Sequence, residues 1–241
     1  MMEDFSVSVC MATYNGEKFL KKQLESILCQ LSDNDEIIIS DDNSTDNTLN
    51  IIESFCDSRI KIFKNKKKSF VKNTYYYVTS NFENAIINAN GNFIFLADQD
   101  DIWCENKVSQ CLKHLYHNEL VLHDCVIVNE KEEKIKKSYF ELNKSAPGLT
   151  RNLIKNSYLG CCMAFRKEII PTVLPFPKEV PHDIWFGLVC EKKFKVKFID
   201  EKLLLYRRHG NNISASGEVS KNSLLYKISY RLRILFHLIK A

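Results

Sequence analysis

The chain has 241 residues, 45% hydrophobic and 27% charged, which excludes a disordered segment and allows one large domain or two small ones. Its net charge of +4 does not by itself indicate a nucleic-acid partner, and seven Gly and five Pro exclude Gly/Pro-rich linkers. Nine Cys form no C-x-x-C pair, and several sit in apolar runs, so buried free thiols in a reducing cytosol are expected.

No basic n-region opens the chain, and no stretch reaches the ~18 apolar residues that span a bilayer. Ser6–Ala12 reads as a strand feeding a turn, and Glu17–Gln30 has apolar residues at helical spacing. Glu36–Ser40 is a short buried strand, followed by a helix expected to begin near Ser44. Arg59–Phe63 alternates as a third strand, and a helix capped by Ser80 and closed by Gly91 leads to a fourth, Asn92–Ala97. Short apolar strands alternating with amphipathic helices predict a parallel, doubly wound α/β sheet. Ligands of such sheets bind beyond the carboxyl ends of the strands.

The fourth strand ends in Asp98, Asp100 and Asp101, with Trp103 just after. Either these acids close a turn and cap the next helix, or they gather around a hard divalent cation that removes their mutual repulsion. "TYNG" after the first strand and "DDNSTD" after the second converge on the same edge and favour a ligand site. Cys111, His114 and His117, with His123 nearby, read as an ordinary amphipathic helix in preference to a zinc site. Beyond a loop at Tyr139–Pro147, "YLGCCMAF" is strand-like, "HDIWFGLVC" helix-like, and "KVKFI" and "LLLYR" are strands.

Four ordered pieces, "VSVCMATYNGEKFL", "IIISDDNSTDNT", "FIFLADQDDIW" and the pair "HDIWFGLV" and "LYRRHGNNIS", carry a likeness over about residues 6–215. The chain resembles glycosyltransferase family 2, GT-A fold, in its rhamnosyltransferase-like branch. The resemblance implies one domain over 1–215, a nucleotide-sugar half (1–104) and an acceptor and catalytic half (105–215), with a tail at 216–241. It implies an inverting transfer from a UDP- or dTDP-sugar to a glycan or lipid-linked acceptor, with Mg²⁺ or Mn²⁺. The product would be a surface polysaccharide or lipopolysaccharide, built on the cytoplasmic side of the membrane.

By the same resemblance, Tyr14 stacks on the base, backbone groups of Ala12 and Thr13 bond its edge, and Asp42 accepts from it. Asp41 helps or caps the helix near Ser44. Asp98, Asp100 and His209 hold the cation, while Asp101 faces sugar hydroxyls or caps a helix near Glu105. Asp183 is the catalytic base, with His182 the second candidate, and Arg207 and Arg208 bind the diphosphate. Trp103 is expected to pack in the core. A nucleotidyltransferase, or a non-catalytic nucleotide-sugar-binding module, is the alternative.

Two segments depart from this pattern. Lys64–Ser80 carries Lys64, Lys66, Lys67, Lys68 and Lys72 and three tyrosines, Tyr75–Tyr77, and reads as a solvated loop or a contact for anionic lipid or phosphate. In the tail no acid follows Glu218, and Leu225, Ile228, Leu232, Leu235, Phe236 and Ile239 share one helical face bordered by basic residues. That face either docks on the domain or lies on a membrane.

Overall fold

The computed structural model describes residues 6–66, 74–210 and 224–240, so Lys67, Lys68, Lys72 and residues 211–223 lie outside the described residues. Strands β1 (Val7–Thr13), β2 (Glu36–Asp41), β3 (Ile60–Lys64) and β4 (Phe93–Asp98) alternate with helices α1 (Leu20–Leu28), α2 (Thr48–Glu53) and α3 (Thr74–Ile87). They lie in the order β3-β2-β1-β4, all parallel, as the alternation predicts. β1 lies between β2 and β4, inside the sheet, which is why its side chains are almost all buried. Its register sets Thr13 beside Asp41 and Ala12 beside Asp98. The carboxyl ends of three strands therefore finish level, and the polar motifs that follow them share one edge.

The second half breaks the parallel rule. It contains β5 (Ile102–Trp103), α4 (Lys107–Leu115), β6 (Leu120–Val128), β7 (Lys134–Lys136), α5 (Tyr139–Asn143), α6 (Leu149–Ile154) and β8 (Met163–Arg166), followed by α7 (Ile170–Val173), α8 (His182–Lys193), β9 (Val196–Arg207) and α9 (Leu224–Lys240). β8 inserts antiparallel between β4 and β6, and β6 pairs with β9 in parallel. One sheet thus runs through both halves, and its core is continuous. "KVKFI" and "LLLYR" are a single strand. Its register on β6 jumps from His123–Ile199 to Asp124–Lys202, a bulge at the polar residues that split the sequence pattern.

Four boundary expectations are corrected. Ser44 does not begin a helix, because its N–H and hydroxyl both donate to Asp41 in a closed turn and α2 starts at Thr48. Ser80 lies inside α3, which the buried Tyr76 extends toward its N-terminus; the Ser80 hydroxyl donates to Asn65. Gly91 lies beyond the end of α3, at a close approach where a Cβ would sit 2.6 Å from the Ser8 nitrogen. The expected loop at Tyr139–Pro147 contains α5, with Ser138 accepting at its N-cap. Buried Asp124 holds that cap, taking hydrogen bonds from the Ser138 hydroxyl and from the Cys125 and Phe140 N–H groups.

Candidate active site

Tyr14 follows β1 and is 51% exposed, with its ring at the edge where the motifs converge. Gln99 pins its backbone: the Gln99 Oε1 accepts from the Tyr14 N–H at 2.9 Å and the Nε2 donates to the Tyr14 carbonyl at 3.0 Å. Asp42 is nearly buried and accepts from Asn65 at 3.3 Å. Asp41 is structural, taking bonds from Thr13 and Ser44. The Thr13 carbonyl already accepts from the Asp42 N–H and the Asn81 side chain, and its hydroxyl is buried on Asp41. A base-edge contact from Thr13 therefore does not fit this arrangement, and Ala12 is held in the ladder between Ser40 and Asp98.

The acids after β4 divide into two groups. Asp100 meets His209, whose Nε2 lies 2.7 Å from its Oδ2. The His209 ring leans on Phe19, with centroids 5.0 Å apart. Asp98 instead groups with Asp101 and Cys161, which among the described residues form the one His/Cys/Asp/Glu cluster whose ligand atoms lie within 4.8 Å of one another. Burial, then the charge of Asp100, pushes the Asp98 carboxyl up to about 7. Burial, then the charges of Asp100 and Asp98, push Asp101 well above the usual carboxylate range. The arrangement fits a hard divalent cation: carboxylate oxygens crowd one point, resist ionising together, and a cation would relieve both. The acids on its solvent side are Asp98 and Asp100, with His209 beside them.

Asp101 is corrected on both counts. It is fully buried, out of reach of a sugar, and α4 begins at Lys107 without a side-chain cap. Its Oδ1 accepts the Arg207 N–H at 2.9 Å, and the Cys161 thiol also bonds its carboxyl. Arg207 is corrected too. It is 1% exposed, its guanidinium donating to the carbonyls of Asp100 and Glu130, at 2.8 and 2.9 Å, and to Glu132, while it faces the Phe19 ring. It clamps the acid loop to α1 and the β6–β7 turn and has no free edge for a phosphate. Arg208 is half-buried, and its side chain bonds the Tyr206 hydroxyl.

Asp183 opens α8, bonded to its own Ile184 N–H at 2.8 Å. Burial pushes its carboxyl up to about 6, and its charge reaches Asp98, so the two carboxyls are near neighbours. A carboxyl tuned that way is poised to accept a proton near neutrality. His182 is not its equal: buried, stacked on Phe82 at 4.3 Å, with burial pushing the imidazole down to about 3, it stays neutral in packing. Trp103 packs in the core against Phe95.

Three residues were not expected. Gln99 lay unread between the acids. Lys107 is fully buried beneath them, donating to the Cys161 carbonyl at 2.7 Å and lying over Trp103 at 4.0 Å. Tyr139, from the supposed loop, is buried close enough to Asp183 to feel its charge. Of these only Gln99 left a signal, by its place inside an acidic run. The Cys111, His114, His117 and His123 set does not come together: Cys111 is buried on α4 and His123 on β6.

A family model described as Glycosyl transferase family 2 matches residues 8–174. The chain is 31% identical over 231 residues to the UDP-Glc:alpha-D-GlcNAc-diphosphoundecaprenol beta-1,3-glucosyltransferase WfgD of Escherichia coli, covering 89% of this chain and 82% of that protein. It is 31% identical over 219 residues to the dTDP-rhamnosyl transferase RfbG of Shigella flexneri, covering 84% and 72%. Among solved structures, S. aureus TarS 1-349 in complex with UDP-GlcNAc superposes with a TM-score of 0.66 at 18% identity, covering 95% of this chain and 71% of that one. The mannosyltransferase PcManGT from Pyrobaculum calidifontis, in complex with GDP-Man and Mn²⁺, gives 0.62 at 17% identity, covering 89% and 59%.

Proposed function

The chain belongs to glycosyl transferase family 2, and from that premise we propose how its site works and what it accepts. It is a glycosyltransferase of the GT-A fold that takes its sugar from a nucleotide-sugar donor. In our reading the donor is a UDP- or dTDP-sugar, the acceptor is a glycan carried on a lipid diphosphate, and the enzyme works on the cytoplasmic face of a membrane. The name of the WfgD relative supports a UDP-sugar and the lipid-linked acceptor, that of RfbG supports a dTDP-sugar, and nine free cysteines suit a reducing compartment.

Tyr14 carries the base, with Asp42 at its edge. Asp98 and Asp100, with His209, hold a divalent cation. When bound, that cation neutralises the donor diphosphate and stabilises it as a leaving group. Arg208 adds positive charge on the same side. The Asp183 carboxylate takes the proton of the acceptor hydroxyl as its oxygen bonds the anomeric carbon. The bond from that carbon to the diphosphate breaks, and the sugar is delivered with inversion.

One observation supports this reading above the others: Asp183 lies near enough to Asp98 for its charge to help raise the Asp98 carboxyl, which puts the residue proposed as base beside those proposed to hold the cation. Asp183→Asn tests it. The variant should transfer about 10²-fold more slowly or worse while binding donor as before. His182→Phe, which keeps the stack on Phe82, should remain active. An active Asp183→Asn beside a dead His182→Phe would reassign the base.

A further inference from the structure

The tail helix has two faces, and only one of them packs on the described residues. α9 docks through Ile234 and Leu238, which are buried, with Tyr230 packed beside them, against α6 and α8. Polar contacts fix the dock: Lys192 donates to the Leu238 carbonyl at 2.7 Å, Arg231 donates to the Ile154 carbonyl, and His237 lies edge-on to the Trp185 ring. The stripe singled out in the sequence is not the docked one. Ile228, Leu232, Leu235, Phe236 and Ile239 stand exposed, from 37% for Leu235 to 71% for Ile239. At about 100° per residue Leu232, Phe236 and Ile239 point away from the buried pair, with Ile228 and Leu235 on the flank between. Ile154 of α6, also exposed, sits beside them, since its carbonyl is held by Arg231.

We propose that this outward face of α9 binds an anionic lipid surface, lying in the plane of the membrane while the opposite face stays docked on the enzyme. The charges choose the occupant. Arg231 borders the stripe on one side, Arg233 and Lys240 on the other, and the Lys240 ammonium lies 4.0 Å from the Phe236 ring. No acid occurs from Leu224 to Ala241. Cations rimming an apolar stripe insert their stems beside the acyl chains and keep their heads at lipid phosphates. A second copy pairing through the same face would set these cations against each other with no carboxylate on the helix to offset them. None of the described helices is long and apolar enough to cross a membrane, so the contact is peripheral.

The placement has a consequence for turnover. Asp183 opens α8, and Trp185 and Lys192 of that helix touch α9. A lipid-bound α9 therefore orients the helix that carries the base toward a lipid-linked acceptor. This purpose rests on the function proposed above; the binding itself does not.

Flotation of the full chain with phosphatidylglycerol-containing vesicles, and with phosphatidylcholine alone, tests the proposal. The wild type should float with anionic vesicles, at least ~10-fold less with neutral ones, and more weakly but measurably in high salt. Leu232→Gln with Phe236→Gln should bind about 100-fold more weakly, because two large side chains leave the lipid. Its melting temperature should be unchanged, because both positions are exposed. A wild type that stays with the soluble fraction, or a double variant that floats as well as the wild type, would overturn the proposal. So would a lipid-free dimer that the double variant abolishes, which would give the face to a second copy. Nucleotide-sugar turnover on a water-soluble acceptor is read separately: a floating protein without turnover contradicts the function, and a non-floating one with turnover contradicts only the lipid face.

Discussion

Gln99 joins the proposed nucleotide side of the site to the proposed cation side, since its amide holds both backbone groups of Tyr14 while its neighbours are Asp98 and Asp100. Gln99→Ala should raise the KM for donor about 10-fold with a smaller effect on kcat, as expected when a prebuilt binding loop loses its two tethers. Gly16→Ala should behave the same way, because a Cβ there would lie 2.3 Å from the Gln99 Oε1 and displace it. The two changes combined should cost little more than either alone, and additive losses would refute the shared mechanism. Asp183 also makes a stability prediction. Its folded pKa of about 6 lies above the ordinary 3.8, so its favourable contribution is complete at low pH and is lost as pH rises through about 6. Asp183→Asn stays neutral throughout. Above pH ~7 it should therefore unfold in urea about 1–2 kcal/mol later than the wild type, with the gap closing below pH ~4. A gap that does not change with pH would count against a buried, proton-poised carboxyl. Such an active-site residue trades stability for chemistry. The sequence favoured Asp183 over His182 by its place in the motif, but the physical reason, the packing of the imidazole on Phe82, is visible only in the fold. It could not say which arginine turned inward, since that depends on Phe19, Glu130 and Glu132, all remote in the chain.

Helix α8 has to carry Asp183 to the cleft while packing on the sheet below and on α9 beside it. Gly187 makes that approach possible: a Cβ there would fall 2.2 Å from the Tyr158 ring, whose hydroxyl is fixed on Glu191 at 2.8 Å. Gly187→Ala should destabilise the protein by about 1–3 kcal/mol or more, read from the urea midpoint, despite the better helix propensity of Ala. A neutral result would mean that Tyr158 moves freely. The long helices were legible because their periodicity is strong, and the parallel strands because they are nearly all apolar. Elements shaped by distant partners were not. α5 depends on Asp124 for its cap, and the extension of α3 depends on burying Tyr76. In α9 the apolar stripe was visible, but the docked face, built from Tyr230, Ile234 and Leu238 among charged residues, was not.

At the scale of the whole molecule, one sheet gathers Tyr14, Asp42, the Asp98–Asp101 loop and Asp183 from positions spread over most of the chain. The parallel half was predictable from the order of the motifs alone. The antiparallel entry of β8 and the bulged 12-residue β9 were not, because pairing partners and bulges leave little trace in local pattern. Both matter, since β9 brings Arg207 to the acid loop and His209 just beyond it to Asp100. The central claim is that these acids hold a divalent cation against a nucleotide sugar whose sugar passes to a lipid-linked glycan. Its most direct test is to incubate the protein with a panel of UDP- and dTDP-sugars and GlcNAc-diphosphoundecaprenol, with Mn²⁺ or with excess chelator, and to follow the lipid-linked product. We predict that one donor yields an extended lipid-linked glycan and free nucleoside diphosphate with Mn²⁺, and that both are lost in chelator and in Asp100→Ala. Undiminished product in excess chelator, or from Asp100→Ala, would contradict the account.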